Sequence, residues 1–404
     1  MKKNTIITTG RRKLIAGGSL GAFAATLPRA VWAQGEPIKL ATLTPLTGAG
    51  GPYGPVMAKA VQAVAEQVNS AGGVLGRRLQ IISEDDQTNP EAGVRAARKL
   101  IDVDRVAAIM GTWASSVTTA VAPLCWESKT FLCTVSGADS VTLLPHQGWL
   151  IRTQPNTTLQ GAKLAEFMLD HGAKRVFMMM GQTPFTQSTF DNISKGLAAK
   201  GAVSERMIYD DKKPSLRSEV DQALRFNPDT IFAGGYTPDT AVLAKDLYRA
   251  GYKGKVFGMA YSINQKLIES VGQNDIVEGM FGQAPSTAEG GTAHKKLIDL
   301  IKVADPDPYT CQVYDHINLV VMAMAQAKAA TGEAIRGAIR QVAQGGGTSV
   351  DSAVDGLKVI AAGGKVDYDG ASGPCDFTDA GDIVDCKFRY EQIKAGKVTV
   401  LRIA

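Results

Sequence analysis

The stretch VAAIMGTWASSVTTAVAPLCWESKTFLCTV, Val106 to Val135, decides the fold class. It opens with a short apolar run that breaks at Gly111. Apolar residues then recur at Val117, Ala120, Val121 and Leu124, the spacing of one helix face, before a second apolar run, TFLCTV. Strand, helix, strand at these lengths is the unit of a parallel sheet with helices on its faces. Ser115 and Ser116 stand where the helix begins. The first backbone N–H groups of a helix have no partner within it, so this start is a place for an anion.

The same alternation extends in both directions. Upstream, IKLATL leads through a Gly/Pro-rich loop to an amphipathic run from Val56 to Val68, and RLQIIS leads to PEAGVRAARKLI. A second series starts after WLIRTQP: a helix over 159–169, strand RVFMMM, a helix over 190–199, strand VSERMIY, a helix over 218–226, strand TIFAGG, a helix over 240–250 and strand KVFGMA. Two consecutive series predict an α/β protein of two doubly wound parallel-sheet lobes. Beyond EGMFGQAP, the run YDHINLVVMAMAQAKAA is almost continuously apolar and must be buried on most faces. No low-complexity linker separates the series, which favours several short crossings acting as a hinge.

Residues 1–33 are read separately, because a charged start, an apolar middle and a small-residue end make an export signal, with cleavage expected before Gln34. Arg11-Arg12 followed by Lys13-Leu14 resembles a twin-arginine signal, and an ordinary secretory signal remains the alternative. The segment holds six basic residues and no acidic ones; taking them from the 44 in the whole chain leaves 38 basic against 39 acidic. That balance gives no support to a nucleic-acid or anionic-membrane partner. About 370 residues remain, enough for two domains.

The five cysteines, Cys125, Cys133, Cys311, Cys375 and Cys386, show no metal spacing, so no metal site is expected. In CDFTDAGDIVDC a turn between Ala380 and Gly381 would set Cys375 opposite Cys386 in a tight hairpin. A disulfide and two free thiols are both open readings there.

Several strings together look like those of periplasmic solute-binding proteins of branched-chain amino acid ABC transporters: IKLATLTPLTG, YG, VNSAGGVLGRRLQIISEDDQTNPEAGVRAARKLI, LQG, FAGGYTPDTAVLAKDLYRAG and VYDHINLVVMA. The resemblance runs across nearly the whole chain after the signal. It implies the type I periplasmic-binding fold, three interlobe crossings, a ligand cleft and a closing motion of the two lobes. The expected lobes are residues 34–153 with 284–384, and residues 154–283 with 385–404. Asp85 and Asp86 are read as structural, helping to cap the helix near Pro90.

Ligands of open α/β sheets bind beyond the carboxyl ends of strands. The resemblance places the ligand carboxylate on Ser115, with Ser116 and nearby amides beside it, and a backbone carbonyl near Ser136 on the ligand ammonium. The hydroxyl that the family adds two residues later is missing, because Ala138 stands there. GMAYSINQ lacks the family's acidic counter-charge, and Thr157 replaces a common Asp. An ammonium buried without a carboxylate partner would cost several kcal/mol. Asp139 and Asp239 are the acids that could restore an amino-acid site. Tyr53, Phe185, Tyr236 and Tyr261 match or neighbour aromatic wall positions, and Trp113 either narrows the cleft or packs beneath the loop.

No Gly-x-Ser-x-Gly elbow occurs, and His146, His171, His294 and His316 have no triad spacing, each being read as a solvated or capping residue. TGAGGPYG has the wrong glycine spacing for a dinucleotide loop, so no cofactor is expected. The expectation is therefore a monomeric periplasmic protein without catalytic activity. It would carry a small carboxylate-bearing ligand, an aromatic or aliphatic acid, to the membrane permease of an ABC importer. Binding of a branched-chain amino acid is the alternative within the class, and a secreted serine hydrolase using Ser115 the alternative outside it.

Overall fold

A computed structural model describes residues 35–404. The expected export signal and its cleavage point lie outside the described residues. In chain order the first elements are β1 (Ile38–Thr44), α1 (Gly54–Ser70), β2 (Leu79–Asp85), α2 (Pro90–Arg98), β3 (Ala108–Thr112), α3 (Ser115–Glu127), β4 (Phe131–Thr134) and β5 (Leu150–Arg152). Their strands form one sheet in the order β2-β1-β3-β4-β5, every pair parallel.

The second series comprises α4 (Thr157–Asp170), β6 (Arg175–Gly181), α5 (Pro184–Ala198), β7 (Val203–Tyr209), α6 (Arg217–Leu224), β8 (Thr230–Ala233), α7 (Thr237–Arg249), β9 (Lys255–Met259), α8 (Gln265–Val271) and β10 (Phe281–Pro285). The chain continues through α9 (Thr292–Ile301), α10 (Pro308–Ala327), α11 (Gly332–Ala343), β11 (Thr348–Val350), α12 (Ala353–Ala361), β12 (Val366–Gly370), β13 (Gly373–Pro374), β14 (Phe388–Lys394) and β15 (Lys397–Ile403). The second sheet runs β15-β14-β10-β9-β8-β6-β7, parallel except for the antiparallel pair β14 and β15 added at one edge. A small sheet, β11-β12-β13, completes the fold.

Every residue from Pro308 to Met324 in α10 is buried, as its near-continuous apolar run requires. Polar residues inside it each have a role. Asp315 accepts from the Tyr368 hydroxyl at 2.8 Å and from the Ala371 and Ser372 amides at 2.7 and 2.9 Å, and so ties α10 to the end of β12. His316 Nε2 meets the Thr153 hydroxyl at 2.8 Å, fixing the chain where it leaves β5.

Three segments carry the chain between the sheets: 153–156, 286–288 and 385–387. The latter two are joined, Ser286 N donating to Lys387 O at 2.7 Å. Because β10 extends to Pro285 in the second sheet, this crossing begins two residues later than the expected break at 283/284.

The C-terminal turn corrects the sequence reading. Phe377 pairs with Ile383, and Val384 N donates to Asp376 O at 2.9 Å, so the turn is centred on Ala380. Cys375 therefore falls opposite Asp385 rather than Cys386, and all five cysteines are free. Three of the histidines, His146, His294 and His316, are buried rather than solvated. The cap of α2 is Asn89, which accepts from Ala92 N at 2.9 Å, not Asp85 or Asp86. Asp86 instead takes the Thr88 amide at 2.8 Å, and burial raises its carboxyl to about 7.

Candidate functional site

The site is built where β3 gives way to α3. The register of β3 against β4 shifts between Met110 and Thr112, a bulge made possible by Gly111, whose φ of 94° is left-handed. This re-aims the chain so that Trp113 and Ser115 enter the cleft. Helices α2, α4, α5, α8, α10, α11 and α12 each open with a side chain that accepts one of their own amides. Helix α3 does not: its N-cap is Ala114. The amides of Val117 and Thr118 turn back to the Ala114 carbonyl at 3.0 Å, leaving those of Ser115 and Ser116 as the open donors.

Ser115 does not cap its own helix. Its Oγ accepts from Ala138 N at 3.1 Å, which leaves the hydroxyl proton to be donated elsewhere. Ser115 lines a narrow chamber of about 30 Å³, partly open to solvent, together with Trp113, Val135, Gly137, Gln154, Phe185, Tyr236, Tyr261 and Tyr309. Five residues expected from the sequence thus meet here: Trp113, Ser115, Phe185, Tyr236 and Tyr261.

The others lie elsewhere. Ser116 is not in the wall, and its carbonyl accepts from the Thr119 hydroxyl at 3.2 Å. The Ser136 hydroxyl is buried beneath the loop, bonding the Trp113 carbonyl at 3.0 Å. Tyr53 sits behind Trp113 and Tyr309, at ring-centroid distances of 5.5 and 5.2 Å. Its hydroxyl reaches across the lobes to Asn264 Nδ2 at 3.1 Å.

The carbonyls expected to receive an ammonium are already engaged. Arg152, fully buried, donates from one nitrogen to the Ser136 and Ala138 carbonyls at 3.3 and 2.6 Å. Its other groups reach Asp382 at 2.5 Å and the Thr142 hydroxyl at 3.0 Å. The remaining carbonyl, that of Gly137, accepts from Thr157 N at 2.9 Å across the lobes. A side chain at 137 has no room, since a Cβ would lie 2.6 Å from the Phe185 ring. Asp139 is engaged as well, receiving Thr158 N at 3.1 Å and Asn192 Nδ2 at 2.8 Å from the opposite lobe.

Trp113 from one lobe and Tyr236 from the other approach to 5.1 Å between ring centroids, so the lobes are closed on each other. Sequence reading missed Tyr309, Gln154 and Arg152. Tyr309 is the second residue of α10 after the Asp307 cap, a helix start legible in PDPYT, but only packing brings it beside Trp113, at 5.7 Å.

This geometry is that of a two-lobed binding protein, and comparison with known proteins agrees. A family model described as periplasmic binding protein matches residues 37–397. The chain belongs to this family. A curated relative, the leucine-, isoleucine-, valine-, threonine- and alanine-binding protein of Pseudomonas aeruginosa, is 24% identical over 313 residues, 76% of this chain and 82% of the relative. Among solved structures, a leucine-binding protein LivK from Thermotoga maritima superposes with a TM-score of 0.78 at 23% identity, covering 91% of this chain and 98% of that one. A solute-binding protein of an ABC transporter from R. palustris, in complex with 4-hydroxybenzoate, gives a TM-score of 0.75 at 17% identity over 91% and 97% of the two chains.

Proposed function

We propose that this periplasmic binding protein captures a small organic acid without an α-ammonium, aromatic or aliphatic, and presents it to the membrane permease of an ABC importer. The carboxylate docks on the Ser115 hydroxyl and the open amides of α3, and the aromatic walls take the rest. One observation carries this reading: the carbonyls of Ser136, Gly137 and Ala138 are all engaged, while the Ser115 proton is free to donate. A buried ammonium would have to share carbonyls that already accept hydrogen bonds, with no carboxylate among the residues lining the chamber. The lobes are residues 35–153 with 286–384, and 154–285 with 385–404. The protein works in the periplasm as a monomer, and lobe closure rather than chemistry is its output.

A hydrolase reading has no support in the site, since no histidine is among the residues lining the chamber. The curated relative's name favours a second reading, binding of a branched-chain amino acid.

Titration calorimetry separates the two. Benzoate or 4-methylpentanoate should bind more tightly than leucine, and Ser115→Ala should weaken acid binding by about 1–3 kcal/mol, the worth of a hydrogen bond to a charged group. Leucine binding tightly while the deaminated acids do not would overturn the proposal.

A further inference from the structure

A cavity of about 410 Å³ lies at the hinge and shares no lining residue with the chamber beside Ser115. Two of its walls are crossings between the lobes, residues 286–288 and 385–387. The remaining wall belongs to the first lobe and runs from Asp369 at the end of β12 through β13 to Asp376, with Val384 just before the second crossing. Its size is that of a site for a small molecule.

Its charge is one-sided. Neighbouring acids are paired, Asp382 with Arg152 and Asp379 with Arg340, but Asp369, Asp376 and Asp385 in the cavity wall have no cationic partner among the described residues. Lys387 is the one cation in that wall, so two negative charges are left over. They are spread out: among the described residues no group of three His, Cys, Asp or Glu side chains is placed to hold a metal ion. Such a wall suits a dication whose two charges are held apart. Thr287 gives independent support. It is only 6% exposed, and its hydroxyl has no hydrogen-bond partner. The other hydroxyls of the wall are engaged, that of Ser286 with the Thr287 carbonyl at 3.0 Å and that of Ser372 with Asp315. A buried hydroxyl left unpaired bears its full desolvation penalty, which a guest N–H would remove. Pro374 and the 60% exposed Val384 add apolar surface that methylene groups would cover.

We infer that the hinge cavity binds an aliphatic diamine, and that its occupancy braces the closed form. One ammonium is received by Asp369 and Asp376 of the first lobe, the other by Asp385 on the crossing, and Thr287 accepts a further N–H. The inference does not depend on what the cleft carries. Crossing segments are where backbone torsions change as lobes open. A guest that ties them to the first lobe, in the arrangement found with the lobes closed, favours closure and by linkage tightens binding in the cleft.

The test is calorimetric titration of the intact protein with 1,5-diaminopentane, pentylamine and 1,5-pentanediol. The diamine should bind about tenfold more tightly than the monoamine, and the diol should not bind. The double variant Asp369→Asn, Asp376→Asn should lower diamine affinity about tenfold, and Thr287→Val about fivefold. Glu205→Gln, which removes an exposed acid of β7 outside the cavity, should leave it unchanged. Absence of diamine binding, equal affinity for the monoamine, or an equal loss in Glu205→Gln would each overturn the site. Small-angle X-ray scattering reads the bracing with no cleft ligand present: saturating diamine should lower the radius of gyration, and an unchanged radius would overturn that part. Failure of either leaves the carboxylate dock standing, since the Ser115→Ala titration tests it separately.

Discussion

Helices α3 and α7 begin in corresponding places, each just after a central strand of its sheet, and neither is capped by its N-cap side chain. They differ in what fills the first turn. At α3 it holds Ser115, Ser116 and no acid, and Ala114 as N-cap leaves the amides open. At α7 it holds Asp239, whose buried carboxylate accepts from the Tyr209 hydroxyl at 2.6 Å. One helix start is therefore vacant for an anion and the other carries its own. In the proposed docking the ligand's acid group goes to the first lobe, where the helix start carries no acid of its own. The two walls also differ in support: a buried arginine holds the loop 136–142 in the first lobe.

That support gives the largest expected effect. Arg152→Ala removes the cation from the half-buried Asp382 and a donor from the Ser136 and Ala138 carbonyls, and should lower unfolding free energy by about 3–5 kcal/mol in denaturant titration. A loss below about 1 kcal/mol would show that the first wall stands without its cation.

Asp239 gives the next. Burial pushes its carboxyl up to about 6 from an ordinary value of 3.8, so the folded state holds this proton more tightly than the unfolded chain does. Its contribution to stability is full below about pH 4 and is lost as pH rises through about 6, an effect of roughly 3 kcal/mol. Asp239→Asn should therefore gain on the natural protein as pH rises from 4 to 7 in chemical denaturation. A difference independent of pH would mean that the helix start and Tyr209 hold the carboxylate ionised throughout.

A direct exchange of character is possible at α3. Ser116→Asp places an acid in its first turn, as Asp239 does in α7, and should weaken benzoate binding about tenfold, or about 1.4 kcal/mol. Unchanged affinity would break the contrast between the two helix starts. The smallest effect is expected at closure. Asn192→Ala removes one donor that Asp139 receives across the lobes, at 2.8 Å, and should cost about 0.5–1.5 kcal/mol of ligand affinity through a less favoured closed form. Fluorescence titration following Trp113 would read it.

Much of the fold could be read along the chain. The alternating strands and helices and the buried run of α10 follow from residue spacing. The helices of the second series were placed to within several residues, α5 being the most misjudged because its Thr183 cap and Pro184 start precede the apolar residues by a turn. The segment from Thr292 to Ile301 and the small sheet around β12 were not anticipated, since their apolar signals are short. Ser115 was legible because a helix start beside a strand end is a local feature. Ser136 and Ala138 were expected to meet the ligand; in the structure the Ser136 hydroxyl bonds the Trp113 carbonyl and the Ala138 carbonyl accepts from Arg152.

By itself the sequence determined that strands and helices alternate, and that a helix start with two serines and no acid follows the end of a strand. Those are relations between neighbours in the chain, set by backbone periodicity. Only the tertiary structure decided which acceptors remain for a ligand. Arg152 and Asp382 are 230 residues apart, as Tyr53 and Asn264 are 211, and no local pattern specifies such pairs. The one-residue shift that separates Cys375 from Cys386 and the walls of the hinge cavity were likewise fixed by packing, because a hydrogen bond or a wall depends on where chains meet in space.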